Sequence, residues 1–270
     1  MLSGKTVIVD YEFIKLAKSG QVSVVTLNRP EVMNALHNGI MSELEQVSRS
    51  FLDDEETRVV VFAGEGKHFS AGADLKQTAP DVQPSMLARR RQTGLGARMI
   101  RAINEINQVT IAAVQGAALG GGACIPTACD FRIGSDDCFI GYPEVNLGIN
   151  LMWNALPLCV HLIGPARAKR MVMLGNHESA ETLLNWGFLD EVVPREQLLE
   201  RALEIAINYA AQPPMPTQMI KQSINMISNA LNAAVMHMDT DQNMLTSLTE
   251  DRKEGLRAYF EKRDPEFKGN

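Results

Sequence analysis

Three consecutive glycines, Gly120, Gly121 and Gly122, stand six residues past the apolar run VTIAAV that ends at Val114. Glycine inside regular structure costs roughly 0.5–1 kcal/mol more ordering entropy than alanine. The triplet therefore constrains the backbone more than any other stretch of this chain. A turn from a strand into a helix, running from about Gly122 to Cys129, accounts for it. The first N–H groups of such a helix have no partner inside it and form its positive end. Pointed into a cleft, they make an anion hole. Close packing of the helix against another backbone asks for the same small residues, and the stretch by itself leaves both readings open.

Around this turn, strands and helices alternate. YEFIKLAK and QVSVVTLN, between Tyr11 and Asn28, predict two strands joined by a tight hairpin at Ser19-Gly20. Pro30 then breaks the sheet. Ile40, Leu44, Val47 and Phe51 recur at helical spacing and predict a helix over Asn38–Asp53, with Asn38 as its cap. The β-branched run from Arg58 to Ala63 suits a buried parallel strand. The loop GEGKHFSAGADL follows it, where ligands collect in α/β folds. KQTAPDVQP, from Lys76 to Pro84, has two prolines and no period, and reads as a mobile loop and pocket wall. A long helix is expected over Ser85–Asn107, weakened at Gly94 and Gly96. Its GLGARM lacks the third glycine of a dinucleotide fingerprint and follows no strand, so a Rossmann reading is discarded.

CDFRIGS and CFIGYP predict two short strands, the second ended by Tyr142-Pro143-Glu144. A carboxylate there, beside aromatic and apolar neighbours, is placed where burial would raise its pKa and suit it to carry protons. A surface glutamate fits the same text. From Leu151 the pattern is helical, with Pro165 opening a helix and Gly175 closing it. FLDEVVP, from Phe188, is a last extended segment. Beyond it come helices rich in Met, Ala, Gln and Asn, punctuated by QPPMP at Gln212–Pro216. This shift divides the chain into a core, residues 1–194, and a helical region, residues 195–270, that caps the core or meets other subunits. The methionines from Met215 to Met244 read as core or interface packing.

Composition excludes several classes. With 45% hydrophobic and 21% charged residues, the 270-residue chain is an ordinary soluble protein. Its net charge of −6 argues against a nucleic-acid surface. Arg89, Arg90 and Arg91 read as a solvated helix face. Cys124, Cys129, Cys138 and Cys159 lack paired CxxC spacing, and His37, His68, His161, His177 and His237 form no HExxH pair, so no metal is expected. The N-terminal apolar run is too short for a signal peptide, and no stretch approaches the ~20 apolar residues of a membrane span. A cytoplasmic location without a membrane partner follows as the expectation.

Six segments taken together resemble the crotonase superfamily of enoyl-CoA hydratases and isomerases. They are LNRPEVMNAL at 27–36, HFSAGADLK at 68–76, AVQGAALGGGACIPTACD at 113–130, YPEVNLGI at 142–149, GFLDEVVP at 187–194 and AYFEKRDPEFK at 258–268. The match spans nearly the whole chain. It implies an α/β fold, a spiral of ββα turns with a C-terminal helical region that builds trimers or hexamers. It also implies a coenzyme A thioester as substrate, with no separate cofactor. Ala73 and Gly121 match the two positions whose N–H groups hold the thioester oxygen. Donors of this kind are worth about 3–4 kcal/mol each as an enolate forms. Asp74, Leu75 and Lys76 match the segment along the adenine and pantetheine. Tyr259 and Lys262 match positions that in some members reach a neighbouring subunit's CoA.

The acids depart from the two-glutamate hydratase pattern. Glu144 matches the second glutamate, while Cys124 stands at the first. A thiol, with an ordinary pKa of about 8.5 that burial raises further, replaces a water-activating carboxylate poorly. One glutamate does suffice for the 1,3-proton shift of a 3-enoyl-CoA to a 2-enoyl-CoA, the reading favoured here. Hydratases of the feruloyl-CoA type also lack the first glutamate, so single-glutamate hydration stays open, as does a non-catalytic CoA-ester binder. Met152 stands where dienoyl-CoA isomerases and dehalogenases keep an aspartate, and with Trp153 it reads as acyl-pocket lining or core. Cys124 reads as a packing thiol at a helix start.

Overall fold

The structure is a computed structural model that describes residues 7–76 and 84–270. The expected loop at Lys76–Pro84 lies outside these residues apart from its two ends, and the first six residues lie outside them too. Strands β1 (Val7–Asp10), β2 (Ile14–Ser19) and β3 (Val22–Leu27) form an antiparallel meander. Helix α1 (Asn38–Ser50) leads into β4 (Val59–Gly64), and α2 (Met86–Thr93) with α3 (Leu95–Asn104) leads into β5 (Val109–Val114). Then follow β6 (Ala117–Leu119), α4 (Gly121–Ala128), β7 (Phe131–Ser135) and β8 (Phe139–Gly141). Helix α5 (Ala155–Leu174), β9 (His177–Ser179), α6 (Ala180–Trp186) and β10 (Glu191–Val193) complete the alternating part. Five helices end the chain: α7 (Leu198–Ala210), α8 (Pro214–Ser228), α9 (Ala233–Met236), α10 (Asp239–Thr246) and α11 (Glu250–Glu261).

The main sheet has seven strands in the order β1-β2-β3-β4-β5-β7-β10, parallel from β3 onward. All six side chains of β5 are buried, because helices cover both faces. On one face Leu198, Ala202, Ala206 and Ala210 of α7, spaced four apart on one stripe, meet Val59, Val61, Val109 and Ile111. On the other, Ile40, Leu44 and Val47 of α1 and Met99 and Ile103 of α3 join Val60, Phe62 and Ala112. A second sheet, β6-β8-β9, starts three residues past the end of β5.

The hairpin at Ser19-Gly20 forms as the turn signal predicts. Several boundaries differ. His37, not Asn38, caps α1, its Nδ1 accepting from the N–H groups of Gly39 at 2.9 Å and Ile40 at 3.3 Å. An imidazole nitrogen serves there as the oxygen of Asn or Asp would. The expected helix over Ser85–Asn107 is two helices that meet at Gly94, and a helix expected from Leu151 starts only at Ala155. Gly164, at φ 78°, breaks α5 ahead of Pro165. The short strands β1, β6 and β9 carry no alternation long enough to read.

Two contacts tie α8 and α11 to the rest of the chain. Lys221 of α8 reaches into the core, its Nζ 2.7 Å from Asp130 Oδ2 and donating to Gln108 O at 2.7 Å. Helix α11 packs on the 3-10 turn Pro143–Leu147, so closely that a Cβ on Gly255 would stand 2.7 Å from the Leu147 carbonyl carbon. Among the described residues no helix is long and apolar enough to cross a membrane.

Candidate active site

At the end of β6 the Gly120 N–H donates to Gly141 O of β8 at 2.9 Å. Gly120 then adopts φ 52°, ψ −123°, which swings the chain into α4. Such a backbone is open to glycine and hardly to any other residue. Gly121 is the first residue of the helix, so no carbonyl within the helix accepts its N–H. Opposite lies the segment Ala71–Ala73. Leu36 pairs with it through Leu36 N to Gly72 O at 2.8 Å and Asp74 N to Leu36 O at 3.1 Å. Both bonds use the residues flanking Ala73, which turns the Ala73 N–H away from Leu36. Gly72, at φ 88°, brings the two segments together: a Cβ there would stand 2.4 Å from Leu119 O and 3.3 Å from Gly121 N. Ala73 and Gly121 line one cavity of about 590 Å³. Close packing is also a reason for the triplet, since a Cβ on Gly122 would meet Ser70 O at 2.4 Å.

Glu144 projects into the same cavity from the 3-10 turn that follows β8. Its Oε1 lies beside Gly120, and its Oε2 is buried without a hydrogen-bond partner. Burial pushes the carboxyl up to about 7 from an ordinary 4.5, opposed only in part by its own backbone N–H. The strand end before it is fixed from behind. Thr127 Oγ1 donates to Ala123 O at 2.7 Å, which leaves the Tyr142 hydroxyl to donate to Thr127 Oγ1. Glu144 is thereby tied to α4, the helix that starts at Gly121.

Cys124 is buried on that helix and lines the cavity. Its Sγ donates to Gly120 O at 3.3 Å. Burial, and next the charge of Glu144, push this thiol well above its ordinary range. It is a neutral packing group, four residues from the carbonyl that satisfies it.

The remaining sequence-based candidates divide. Leu75 and Tyr259 line the cavity; Asp74, Lys76 and Lys262 do not. Asp74 holds its own loop, with Oδ2 3.2 Å from Arg29 Nη1 and Oδ1 accepting from the Lys76 N–H at 3.1 Å. Lys76 is exposed, and Lys262 sits exposed at the left-handed end of α11. The cavity also takes in residues that the sequence reading passed over: His177, Arg252, Arg263, Asp264 and Pro265. Arg252 donates to Leu147 O at 3.1 Å, and burial lowers its pKa. Arg252 and Tyr259 are seven residues apart, two turns of one helix, and that spacing is the signal that would have found Arg252. Among the described residues no three His, Cys, Asp or Glu side chains converge as a metal site requires.

Comparison with known proteins places the chain in a family. Residues 17–270 match the family model described as enoyl-CoA hydratase/isomerase. The short-chain-enoyl-CoA hydratase of Clostridium acetobutylicum is 32% identical over 249 residues, covering 92% of this chain and 94% of that protein. The 2,3-dehydroadipyl-CoA hydratase of Escherichia coli is 31% identical over 255 residues, covering 94% and 98%. The crystal structure of carnitinyl-CoA hydratase from Mycobacterium avium superposes with a TM-score of 0.84 at 27% identity, covering 97% of this chain and all of that one.

Proposed function

The chain belongs to the enoyl-CoA hydratase/isomerase family, and we propose that it works on an enoyl-CoA thioester through a single carboxylate, Glu144. The 1,3-proton shift of a 3-enoyl-CoA is the reaction we favour. The observation that carries this reading is the buried Glu144 carboxyl, raised to about 7, with Cys124 in place of a second acid. Near neutral pH such a group is present in both protonation states, which suits one residue that must first accept and then return a proton.

The thioester oxygen accepts from the Ala73 and Gly121 N–H groups, and negative charge builds on it as ionised Glu144 removes a proton from the α-carbon. The resulting dienolate is held by those donors. Glu144, now the acid, delivers the proton to the γ-carbon, which leaves the double bond conjugated with the thioester and the carboxylate regenerated. Hydration by two carboxylates would need a second acid to orient water. Among the described residues, Asp264 is the other acid that lines the cavity, and it lies on the exposed C-terminal tail. Single-glutamate hydration is the second reading, favoured by the reported relatives, which are hydratases by name. In either reaction Leu75 and Tyr259 lie along the CoA, with Asp74, Lys76 and Lys262 flanking it. The exposed apolar residues Met219, Ile220, Ile224, Ile227 and Leu231 suit a trimer or hexamer contact between copies of the chain.

Proton exchange at the α-carbon of acyl-CoA thioesters in heavy water tests the reading, with Glu144→Gln run beside the parent. Exchange by the parent and none by the mutant is expected, and product analysis then separates isomer from hydrate. Binding of CoA esters without exchange by either protein would make the chain a non-catalytic binder.

A further inference from the structure

The cavity has an open and a buried end. Exposed Tyr259, Arg263 and Asp264 line the one; buried Gly121, Cys124 and Trp153 line the other. A thioester with its oxygen on Ala73 and Gly121 and its α-carbon at Glu144 must send the bulky CoA portion out through the open end. Its acyl chain then points at Trp153.

The indole packs against two glycines, Gly96 and Gly121. A Cβ on Gly96 of α3 would stand 2.1 Å from Trp153 Cε2, and one on Gly121 would stand 2.0 Å from Cζ3. Only glycine at both positions leaves room for the ring. The backbone that delivers it is also unusual, with Trp153 at φ 67° and Asn154 at φ 62°. Non-glycine residues enter this left-handed region at a cost, and two in succession persist only where the surroundings hold them. Asp239, the first residue of α10, is what holds them. Asp239 is 9% exposed, and its carboxylate accepts from the Asn154 N–H at 2.8 Å. The Asn154 amide fixes the same turn to α3, donating to Ala97 O at 3.3 Å. A strained turn, a dedicated carboxylate from the C-terminal helices and two facing glycines all serve to aim one side chain.

We propose that Trp153, wedged between Gly96 and Gly121 and aimed by Asp239, sets acyl-chain length by closing the buried end of the cavity, so that the protein takes short-chain enoyl-CoA thioesters and rejects long ones. The inference rests on the acyl-CoA reading above. Trp153 is the specificity-determining residue and Asp239 a positioning residue.

Binding of saturated acyl-CoA esters, measured by titration calorimetry, tests it without requiring turnover. In an open apolar pocket each further buried methylene tightens binding about fourfold. The parent should gain nothing from hexanoyl-CoA to decanoyl-CoA. Trp153→Ala opens a space on the order of 150 Å³, enough for a benzene-sized group, and should bind decanoyl-CoA at least about tenfold tighter than hexanoyl-CoA. Trp153→Phe keeps a flat ring and should keep the limit. Asp239→Ala frees the turn and should relax the limit in part, a change that a merely stabilising role would not produce. A parent that binds decanoyl-CoA progressively tighter than hexanoyl-CoA overturns the proposal, whether or not Trp153→Ala folds. If no acyl-CoA of any length binds, the acyl-CoA reading itself has failed.

Discussion

Glu144 Oε1 occupies the space that a side chain on Gly120 would need: a Cβ built there stands 2.9 Å from that oxygen. The turn that starts α4 and the proposed proton carrier are therefore one unit. Gly120→Ala forces φ 52°, ψ −123° onto alanine, a sparsely populated backbone that costs about 1–3 kcal/mol, and pushes the carboxylate off its position. Misplacing a reacting group by an ångström costs about 100-fold in rate. Turnover should fall by at least that factor, with a stability loss of about 1–3 kcal/mol in urea unfolding.

The Glu144 carboxyl gives stability a defined pH dependence. It titrates near 7 in the native protein and near 4.5 when unfolded, so between these values the native state binds more protons than the unfolded state. Its contribution is complete below pH 4.5, is lost as pH rises through about 7, and changes little above that. At 1.36 kcal/mol per pKa unit the loss is on the order of 3 kcal/mol. Glu144→Gln removes the slope, and should be inactive yet more stable than the parent at pH 8. Urea unfolding of both proteins at pH 5 and pH 8 measures this difference. An equal pH response in the two would contradict a buried, proton-hungry Glu144.

Gly72 tests the proposed donor pair separately from the proposed base. Alanine there must adopt φ 88° with a Cβ 2.4 Å from Leu119 O, which drives the Ala73 segment away from Gly121. Losing one such donor costs about 10²–10³ in kcat. The loss should fall mainly on kcat rather than on KM, because the donors act most strongly on charge that develops during the reaction. A rise in KM alone would place Gly72 in substrate binding.

The crotonase fold and much of the cavity were legible in the sequence because both depend on backbone. Strand, glycine triplet and helix leave a signature in residue type, and so does a glutamate after Tyr142-Pro143. Residues whose role depends on a long-range meeting are legible only in part: Trp153 reads as acyl-pocket lining or core, without the partners that aim it. Trp153 and Gly96 lie 57 positions apart, and nothing in GLGARM says that its second glycine receives an indole. Asp239 reads as an ordinary acidic start to a helix until Trp153 and Asn154 are seen to be left-handed. The cap of α1 was misplaced by one residue because side-chain propensity favours Asn38, while geometry lets the His37 imidazole do the same work.

Cys124 should be dispensable. Its thiol donates to Gly120 O and is held neutral, so Cys124→Ser keeps a donor at the same place and should change α-proton exchange by less than about threefold. The parent should also resist alkylation by iodoacetamide at pH 8, since attack requires a thiolate and access. Rapid alkylation with loss of activity would instead make Cys124 a reacting group.

Helix α8 is tied to the core through Lys221, and the proposed aim of Trp153 depends on Asp239, the first residue of α10. Removing one member of a buried ion pair costs about 3–5 kcal/mol when the other charge is left without partners. Asp130 is less stranded than that. It keeps the Thr110 N–H at 2.8 Å and the Thr110 hydroxyl at 2.9 Å, and its side chain is 19% exposed. Lys221→Ala should therefore cost about 2 kcal/mol, within the range for lost hydrogen bonds to charged groups. Adding Asp130→Asn to it should cost less than the two single changes together, with a coupling of about 1–2 kcal/mol. If the pair is an anchor rather than a local contact, hydrogen exchange in Lys221→Ala should rise across α8 to α10 while the sheet stays protected. Exchange that rises only beside residue 221 would separate the ion pair from the seating of Asp239.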